Sequence, residues 1–260
     1  MIIVKIESTV ITHVGLVRDN NEDNYFINGR CKTNNSVTAE GFADNKLRDT
    51  YLYAVFDGMG GESFGEIASL IAAKTLTDYM STDIRSTVTD YIHRANELIC
   101  DDVMRNGGAR SGTTLALLCI CDSKAIAYNI GDSRIYFLRK GILSLLSEDH
   151  TEAQRLIRIG MLDEESAKTH SSRNKLTQHL GIFPDEMIIE PFVSKEIKVK
   201  KNDIFLVCSD GLTDMVSDDD IKEIMERKDL DASSIAKELS KAAQENGGKD
   251  NTTVIVVKVV

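Results

Sequence analysis

Three aspartates stand where apolar segments of the sequence end or begin. Asp57 directly follows one apolar run, Asp210 follows another after a single serine, and Asp250 comes just before the last apolar run of the chain. Strand ends are rigid positions from which side chains can be aimed at one point. Carboxylates gathered in this way could bind divalent cations and support hydrolysis of a phosphoester.

A turn is the simpler interpretation for any one of these aspartates, because aspartate and glycine dominate turns. The set favours a metal site, because clustered carboxylates repel one another and are expensive to bury unpaired. Oxygen ligands favour magnesium or manganese over zinc. The glycine that follows Asp57 also lets a backbone carbonyl approach an ion, since no Cβ intrudes.

Hydrophobic periodicity predicts the elements that position these residues. Helical spacing of apolar residues covers 67–79, 86–105, 218–227 and 232–245. Strand-like runs cover 2–13, 25–27, 51–56, 113–121, 125–130, 134–138, 142–146, 187–191, 194–199, 204–208 and 252–259. Short connections between the central strands predict antiparallel pairing, because parallel strands need a long crossover. The sequence therefore predicts an α+β fold with helices covering sheet faces.

The composition predicts one domain with a sizeable core, since the chain has 260 residues and 42% of them are hydrophobic. The formal charge of −10 argues against nucleic acid or membrane as a partner, because both require basic surface. We see no basic leader and no apolar stretch long enough for a membrane span. The five cysteines lack zinc-site spacing, so we expect reduced core residues and a cytoplasmic location.

Short motifs follow one another along almost the whole chain. They are Arg18-x-x-Asn21-Glu22-Asp23, Asp57-Gly58-Met59-Gly60-Gly61, Gly65-Glu66-x-Ala68-Ser69, Ser111-Gly112-Thr113-Thr114, Gly131-Asp132-Ser133-Arg134, Asp149-His150, Ser209-Asp210-Gly211 and Asp250-Asn251. Any one of them is a weak signal, but the ordered set is highly specific. In that order they resemble the protein phosphatase 2C family, also called the metal-dependent PPM phosphatases, and the compact form is similar to bacterial members.

The resemblance implies a four-layer α-β-β-α sandwich, in which two antiparallel sheets are flanked by helix pairs. It implies a serine/threonine protein phosphatase that hydrolyses phosphoserine and phosphothreonine by attack of a metal-activated water. The cofactors would be two Mn²⁺ or Mg²⁺ ions per active site, with a third ion bound more weakly. Residues 1–260 would form a single catalytic domain with a flap at about 151–183.

The resemblance also assigns the principal metal ligands. Asp57 is expected to bridge the two ions, and Gly58 to offer its carbonyl oxygen to one of them. Asp210 and Asp250 are expected to be ligands of the other ion.

Further roles follow from the same resemblance. Glu22 and Asp23 would reach the ions through waters, and Asp132 would form the third site together with Asp210. Arg18 would bind the substrate phosphate with its planar fork, for which lysine is a poorer substitute. The alternatives are that Arg18 is a solvated loop residue and that Asp132 is a turn residue paired with Arg134.

One departure concerns the general acid. Met59 stands where animal members of the family carry a histidine proposed to protonate the leaving alcohol, and methionine cannot donate a proton. A metal-bound water is the expected substitute. His150 is an alternative, although a structural hydrogen bond is the simpler role for a turn histidine. The polar insertion 28–49, expected to be a surface loop or a decorated hairpin, receives no role.

The expected partners are phosphorylated proteins and the serine/threonine kinase that modifies them, with no nucleic acid or membrane partner, and we expect a monomer. Two other functions remain open at this point. One is a pseudophosphatase that keeps the fold as a binding module, and the complete metal set argues against it. The other is a hydrolase of small phosphoesters.

Overall fold

The computed structural model describes residues 5–33, 39–60 and 64–260, and it stacks two antiparallel sheets between helices. The strands are β1 (Ile6–His13), β2 (Asn24–Ile27), β3 (Arg30–Cys31), β4 (Ala39–Asp44), β5 (Thr50–Phe56), β6 (Gly58–Gly60), β7 (Ser111–Thr113), β8 (Leu115–Cys121), β9 (Lys124–Ile130), β10 (Arg134–Arg139), β11 (Ile142–Leu145), β12 (Phe192–Val193), β13 (Ile197–Lys198), β14 (Ile204–Cys208) and β15 (Thr252–Val259). The helices are α1 (Gly65–Asp78), α2 (Ile84–Arg105), α3 (Glu152–Arg158), α4 (Glu164–Ala167), α5 (Asp210–Thr213), α6 (Asp218–Glu226) and α7 (Ala232–Glu245).

The strand order places the strands that lead to the aspartates near the middle of the sheets. One sheet runs β11-β10-β14-β15-β1-β4, and the other runs β12-β9-β8-β5-β2-β3 with β13 also paired to β9. A separate two-stranded pair consists of β6, which directly follows β5, and β7, which directly precedes β8. Because β5, β14 and β15 each pair with a strand on both sides, the backbone at their ends is held rigidly.

Three apolar layers hold the sandwich together. The first lies between α1, α2 and the β5 sheet and includes Leu76, Tyr91 and Ile99. A second lies between the two sheets, where Phe205 stacks on Phe137 with ring centroids 4.9 Å apart. The third packs α6 and α7 on the β14 sheet. Three apolar layers between four layers of secondary structure confirm the predicted α-β-β-α sandwich.

Most predicted elements are present, and the differences have local causes. Residues 187–191 were expected to be a strand, but β12 begins only after Pro191, which has no N–H to donate to a ladder. Of the strand expected over 194–199, only β13 pairs, with β9. The strand expected over 113–121 divides at Thr114, whose hydroxyl contacts the Asp57 backbone instead.

The insertion 28–49 is more ordered than a surface loop. Its strand β4 pairs antiparallel with β1 and forms an edge of the sheet, and β3 forms a hairpin with β2. The prediction of a decorated hairpin was therefore partly right, and that of a surface loop was wrong for these strands. Residues 2–4 of the first predicted strand, residues 34–38 of the insertion and Gly61 of the Asp-Gly motif lie outside the described residues. In the ranges that are described, no helix is both long enough and apolar enough to cross a bilayer.

Candidate metal-binding active site

Asp57 lies between β5 and β6, where two threonines hold its backbone. Its N–H donates to Thr114 Oγ1 at 2.9 Å, and its carbonyl oxygen accepts from Thr114 N and Thr113 Oγ1, each at 2.9 Å. Thr114 Oγ1 also shares a 2.7 Å hydrogen bond with Ser133 Oγ. The Ser-Gly-Thr-Thr and Gly-Asp-Ser motifs therefore contribute bonds that fix the backbone from which the Asp57 carboxylate projects.

Gly58 lies where three chain segments meet without room for a side chain. A Cβ on Gly58 would lie 2.5 Å from the carbonyl oxygen of Glu22 and 2.6 Å from the carbonyl carbon of Gly65. A Cβ on Gly65, the first residue of α1, would lie 2.8 Å from Glu22 Cδ. The Glu22 carboxylate thus packs against the first residue of a helix, where the helix dipole favours negative charge.

Asp210 and Asp250 come from neighbouring strands of the other sheet. Asp210 opens α5 directly after β14 and Ser209, and Asp250 precedes β15. The Asp250 side chain accepts from the N–H of Asn251 at 2.8 Å and from the Arg18 guanidinium at 2.7 Å. The predicted phosphate-binding arginine is therefore in contact with a predicted metal ligand.

Asn251 ties the acidic turn to the start of β15. Its Oδ1 accepts from Glu22 N at 2.7 Å, and its Nδ2 donates to the carbonyl oxygens of Val14 and Asn20, each at 2.8 Å. Ser69 Oγ holds the same turn from α1 by donating to the Glu22 carbonyl oxygen at 2.6 Å. One asparagine and one serine thereby hold the turn that carries the predicted water-mediated ligands.

Asp23 is buried in the same turn. Ser209 Oγ donates to its Oδ2 at 2.7 Å, and its Oδ1 is buried with no hydrogen-bond partner among the described residues. Burial raises the pKa of Asp23 to about 6, while the side chains of Thr253 and Ser209 and the charge of Lys32 act to lower it. A buried carboxylate oxygen without a partner is costly, and a cation or an ordered water would satisfy it.

The charges of the site carboxylates act on one another. Burial raises the pKa of Asp57 well above its ordinary value, and the charges of Asp210 and Asp23 raise it further. Burial and the charge of Asp250 raise the pKa of Asp210 to about 7. These electrostatic effects link Asp57, Asp210, Asp23 and Asp250, each of which lies beside the end of a strand.

The pKa values of two further carboxylates, Asp132 and Glu22, are also raised. Burial and the charge of Asp210 raise the pKa of Asp132 well above its ordinary value. Burial and the charge of Glu66 raise the pKa of Glu22 to about 7. The charge of Asp210 thus acts on Asp132, which lies between β9 and β10. The role of these two residues at a third ion stays a prediction from the resemblance.

The turn alternative for Asp132 required an ion pair with Arg134. The Arg134 guanidinium instead binds Asp149 through Nε and Nη2, the shortest contact being 2.6 Å. His150, the alternative general acid, has its Nδ1 3.3 Å from Gly131 N, which donates to it, while His150 N donates to the Gly131 carbonyl oxygen. The Asp-His motif thus braces the turn that carries Asp132, which is the structural role expected for His150.

The carboxylate and carbonyl oxygens of the site are ligands that suit hard divalent cations, although the side chains do not form a complete coordination shell. Within residues 5–33, 39–60 and 64–260, no three acidic, histidine or cysteine side chains already have metal-coordinating geometry. The Arg18 contact occupies one oxygen of Asp250. Magnesium keeps several waters and takes few carboxylates, so a shared aspartate, a backbone carbonyl and waters suffice. Two observations among the described residues support a bound cation: one oxygen of Asp23 is buried without a partner, and the charges of Asp210 and Asp23 act on Asp57.

Three contact residues of the site were present in the motifs but had no predicted role. Asn251, Ser209 and Thr114 each hold a carboxylate-bearing segment through side-chain hydrogen bonds. Their position next to the aspartates was the available signal. Lys32, whose charge acts on Asp23, had no signal, because it lies in the polar insertion.

The chain is similar to known proteins in both sequence and structure. The family profile described as Protein phosphatase 2C matches residues 11–252. The serine/threonine phosphatase stp of Listeria monocytogenes is 31% identical over 259 residues, covering 95% of this chain and 93% of that protein. The solved serine/threonine phosphatase of S. agalactiae has a TM-score of 0.82 and 29% identity, covering 98% of this chain and 100% of that one.

A second solved structure bears on the cofactor. It is the catalytic domain of the serine/threonine protein phosphatase PstP in complex with two manganese ions. Its TM-score is 0.80 and its identity 28%, and the alignment covers 99% of each chain.

Proposed function

This chain belongs to the protein phosphatase 2C family and is a metal-dependent serine/threonine protein phosphatase, and we propose how its own residues perform the hydrolysis. The observation that supports the assignment of the site is that, in addition to burial, the charges of Asp210, Asp23 and Asp132 all raise the pKa of Asp57. All four aspartates also lie beside strand ends: Asp23 before β2, Asp57 after β5, Asp132 between β9 and β10, and Asp210 after β14.

The proposed ligands are those predicted from the sequence. Asp57 would be shared by two divalent cations, the Gly58 carbonyl oxygen would bind one of them, and Asp210 and Asp250 would bind the other. When bound, the two cations lower the pKa of a water and neutralise charge on the phosphoryl oxygens. The chain itself holds these ligands in place. Thr114 binds the Asp57 backbone, and Asn251, which follows Asp250, binds the turn that carries Glu22.

Glu22, Asp23 and Asp132 complete the proposed site. One oxygen of Asp23 accepts from Ser209 Oγ, and the other has no hydrogen-bond partner in the part of the chain that the structure describes, which suits a ligand that acts through water. Asp132, whose pKa burial and the charge of Asp210 raise, would hold a weaker third ion together with Asp210. For the leaving alcohol we propose protonation by water, since the Met59 thioether has no acidic proton and His150 Nδ1 accepts from Gly131 N.

Arg18 is proposed to bind the substrate phosphate. Its guanidinium is 56% exposed and is held only by Asp250 in the hydrogen bonds of the described residues. An ion pair this exposed contributes about 1 kcal/mol or less, so a doubly charged phosphate can displace it. The planar fork can then bind two phosphate oxygens at once.

Replacing Arg18 by lysine is therefore expected to raise KM for a phosphothreonine peptide about tenfold, with a smaller change in kcat. The estimate follows because a hydrogen bond to a charged group contributes about 1.5–3 kcal/mol, and lysine keeps the charge but not the fork. Initial rates at saturating Mn²⁺ measure both constants. Arg105→Lys, at an arginine 76% exposed near the end of α2, is the matched control. An unchanged KM would remove Arg18 from the phosphate site.

We propose that residues 151–183 form a flap beside the site within a single catalytic domain. Arg173 and Asn174 each donate to Asp214 Oδ2 at 3.0 Å, and Asp214 caps α5, the helix that begins with Asp210. The segment also exposes Ile159 and Met161, which could contact a substrate. Exchange of the flap for that of another family member, with no change in peptide preference, would count against a role in specificity.

Three further proposals concern the opposing kinase, the cellular compartment and the oligomeric state. A phosphoprotein substrate requires a serine/threonine kinase, whose action this enzyme would oppose. The five cysteines are free, which supports a reducing compartment such as the cytoplasm. The apolar faces of α1, α2, α6 and α7 are packed on the chain's own sheets, which supports a monomer.

The first assay is phosphate release from a phosphothreonine peptide with Mn²⁺, with Mg²⁺ and with chelator. We expect release that depends on the metal and exceeds release from a nucleotide at equal concentration. Faster hydrolysis of the nucleotide would favour the small-phosphoester alternative. Absence of release from a folded sample with either metal would favour a pseudophosphatase.

A further inference from the structure

Lys32 is a buried lysine in the polar insertion 28–49, which has no predicted role. It directly follows β3, and its side chain and backbone together are 1% exposed, although lysine is seldom buried without a partner. Its Nζ donates to the carbonyl oxygen of Asn21 at 2.6 Å. A buried ammonium group is expensive, so its position calls for a compensating charge nearby.

Asn24 fixes Lys32 in place. Its Nδ2 donates to the Lys32 carbonyl oxygen at 3.1 Å, and its Oδ1 accepts from Lys32 N at 3.0 Å. The two bonds imitate a strand pairing and extend the β2–β3 hairpin, in which Phe26 is paired with Cys31, by one residue. The lysine side chain therefore starts from a fixed backbone and reaches across to the acidic turn.

The turn that Lys32 contacts is the one that carries Asp23. Asn21 accepts from Asp23 N through its Oδ1 at 3.1 Å and donates from its Nδ2 to Thr12 Oγ1 at 3.0 Å. The Lys32 bond to the Asn21 carbonyl oxygen is a further tie on the same residue. Because Lys32 Nζ and Asp23 N both bind Asn21, the positive charge of Lys32 lies close to the turn that carries the Asp23 carboxylate.

We propose that Lys32 is a positioning residue for the metal site: it fixes the Asn21–Asp23 turn and supplies the buried counter-charge that lets Asp23 present its free oxygen to the bound cations. The inference rests on the proposed function, because Asp23 serves the cations assigned there. Partners of metal ligands typically change metal affinity about 10- to 100-fold when they are removed. Lys32 would act in this way through Asn21 and Asp23 without touching the substrate.

Two other effects of Lys32 would have different consequences. If the lysine served only the packing of the hairpin, its replacement would lower the stability of the protein in chelator and leave the affinity for Mn²⁺ unchanged. If its charge mainly repelled the cations, replacement would make Mn²⁺ bind more tightly. Metal affinity therefore distinguishes positioning from both.

The test is calorimetric titration of Mn²⁺ into wild type, Lys32→Met, Lys32→Arg and Lys258→Met, at a temperature where each is folded. Lys258 is the matched control, because its Nζ also donates to a backbone carbonyl oxygen, that of Leu230, at 2.6 Å. We expect the Kd of Lys32→Met to rise about tenfold or more, that of Lys32→Arg to lie between it and wild type, and that of Lys258→Met to stay within about twofold.

A Kd for Lys32→Met equal to or tighter than that of wild type would overturn the inference. Should Lys32→Met not fold, Lys32→Gln keeps a donor and removes the charge, and its Kd is expected to rise about fivefold or more; a wild-type Kd would again overturn the inference. Failure of the proposed metal site is a separate outcome, since wild type itself would then show no Mn²⁺ binding, and failure of the phosphatase activity would appear as absence of phosphate release by wild type. Melting in chelator reports the structural contribution alone.

Discussion

Replacing Asp210 by asparagine is expected to lower kcat on a phosphothreonine peptide about a thousandfold while stabilising the metal-free protein. Asparagine keeps the shape of the side chain but removes the charge that would bind a cation. Several kcal/mol of transition-state stabilisation depend on the cations, and about 4 kcal/mol corresponds to three powers of ten in rate. Initial rates at saturating Mn²⁺ measure the loss of turnover. Turnover within a few-fold of wild type would refute the role of Asp210 as a ligand.

The gain in stability follows from the raised pKa. Burial and the charge of Asp250 raise the pKa of Asp210 from 3.8 to about 7. The folded protein thus holds this proton more tightly than the unfolded chain does, so stability is lost as the pH rises between these values and stays lost above them. In chelator at pH 8, Asp210→Asn should melt about 3 °C or more above wild type, and the difference should shrink at pH 5.

Asp90→Asn is the control for this measurement, because Asp90 is exposed on α2 and lies outside the cluster. Its melting temperature in chelator should match that of wild type at both pH values. An Asp210→Asn variant that melts below wild type at pH 8 would show that Asp210 is not strained by its neighbours, whatever its effect on turnover.

The positions of the main carboxylates could be predicted because each lies beside an apolar run. The runs before Asp57 and Asp210 contain aromatic and β-branched residues typical of buried strands, and both are strands in the structure. The order of the motifs then added the family and its fold. At Asp57 and Asp210 the local sequence pattern and the fold agree, so the positions of these residues can be predicted from the sequence.

The contacts that hold the carboxylates could not be predicted in the same way. Asn251 binds Glu22 N across 229 positions of the chain, and Ser209 binds Asp23 across 186. Such pairings depend on how the two sheets are stacked, and side-chain type carries no information about it. Lys32 is the extreme case, since a lysine in a polar segment is expected on the surface and here is buried.

Replacing Gly211 by alanine is expected to lower the melting temperature by about 5 °C or more and to weaken Mn²⁺ binding. Helix propensity alone predicts the opposite sign, because alanine is about 1 kcal/mol better than glycine inside a helix. A Cβ on Gly211, however, would overlap the carbonyl oxygen of Asn251 and lie 2.8 Å from its carbonyl carbon. Both atoms belong to the backbone and cannot rotate away. Overpacking of this kind costs about 1–3 kcal/mol or more, at roughly 2–4 °C per kcal/mol for a chain of this size.

The effect should extend to the metal site, because Gly211 follows Asp210 and Asn251 follows Asp250, so relief of the overlap must move one proposed ligand away from the other. Gly41→Ala is the matched control: a Cβ there would lie 3.4 Å from the Val10 carbonyl oxygen, an ordinary contact. Thermal melting in chelator and titration with Mn²⁺ measure the two effects. A Gly211→Ala variant as stable as Gly41→Ala would show that the two strand ends are not in close backbone contact. Loss of stability with a wild-type Kd would show that the contact does not set the spacing of the two carboxylates.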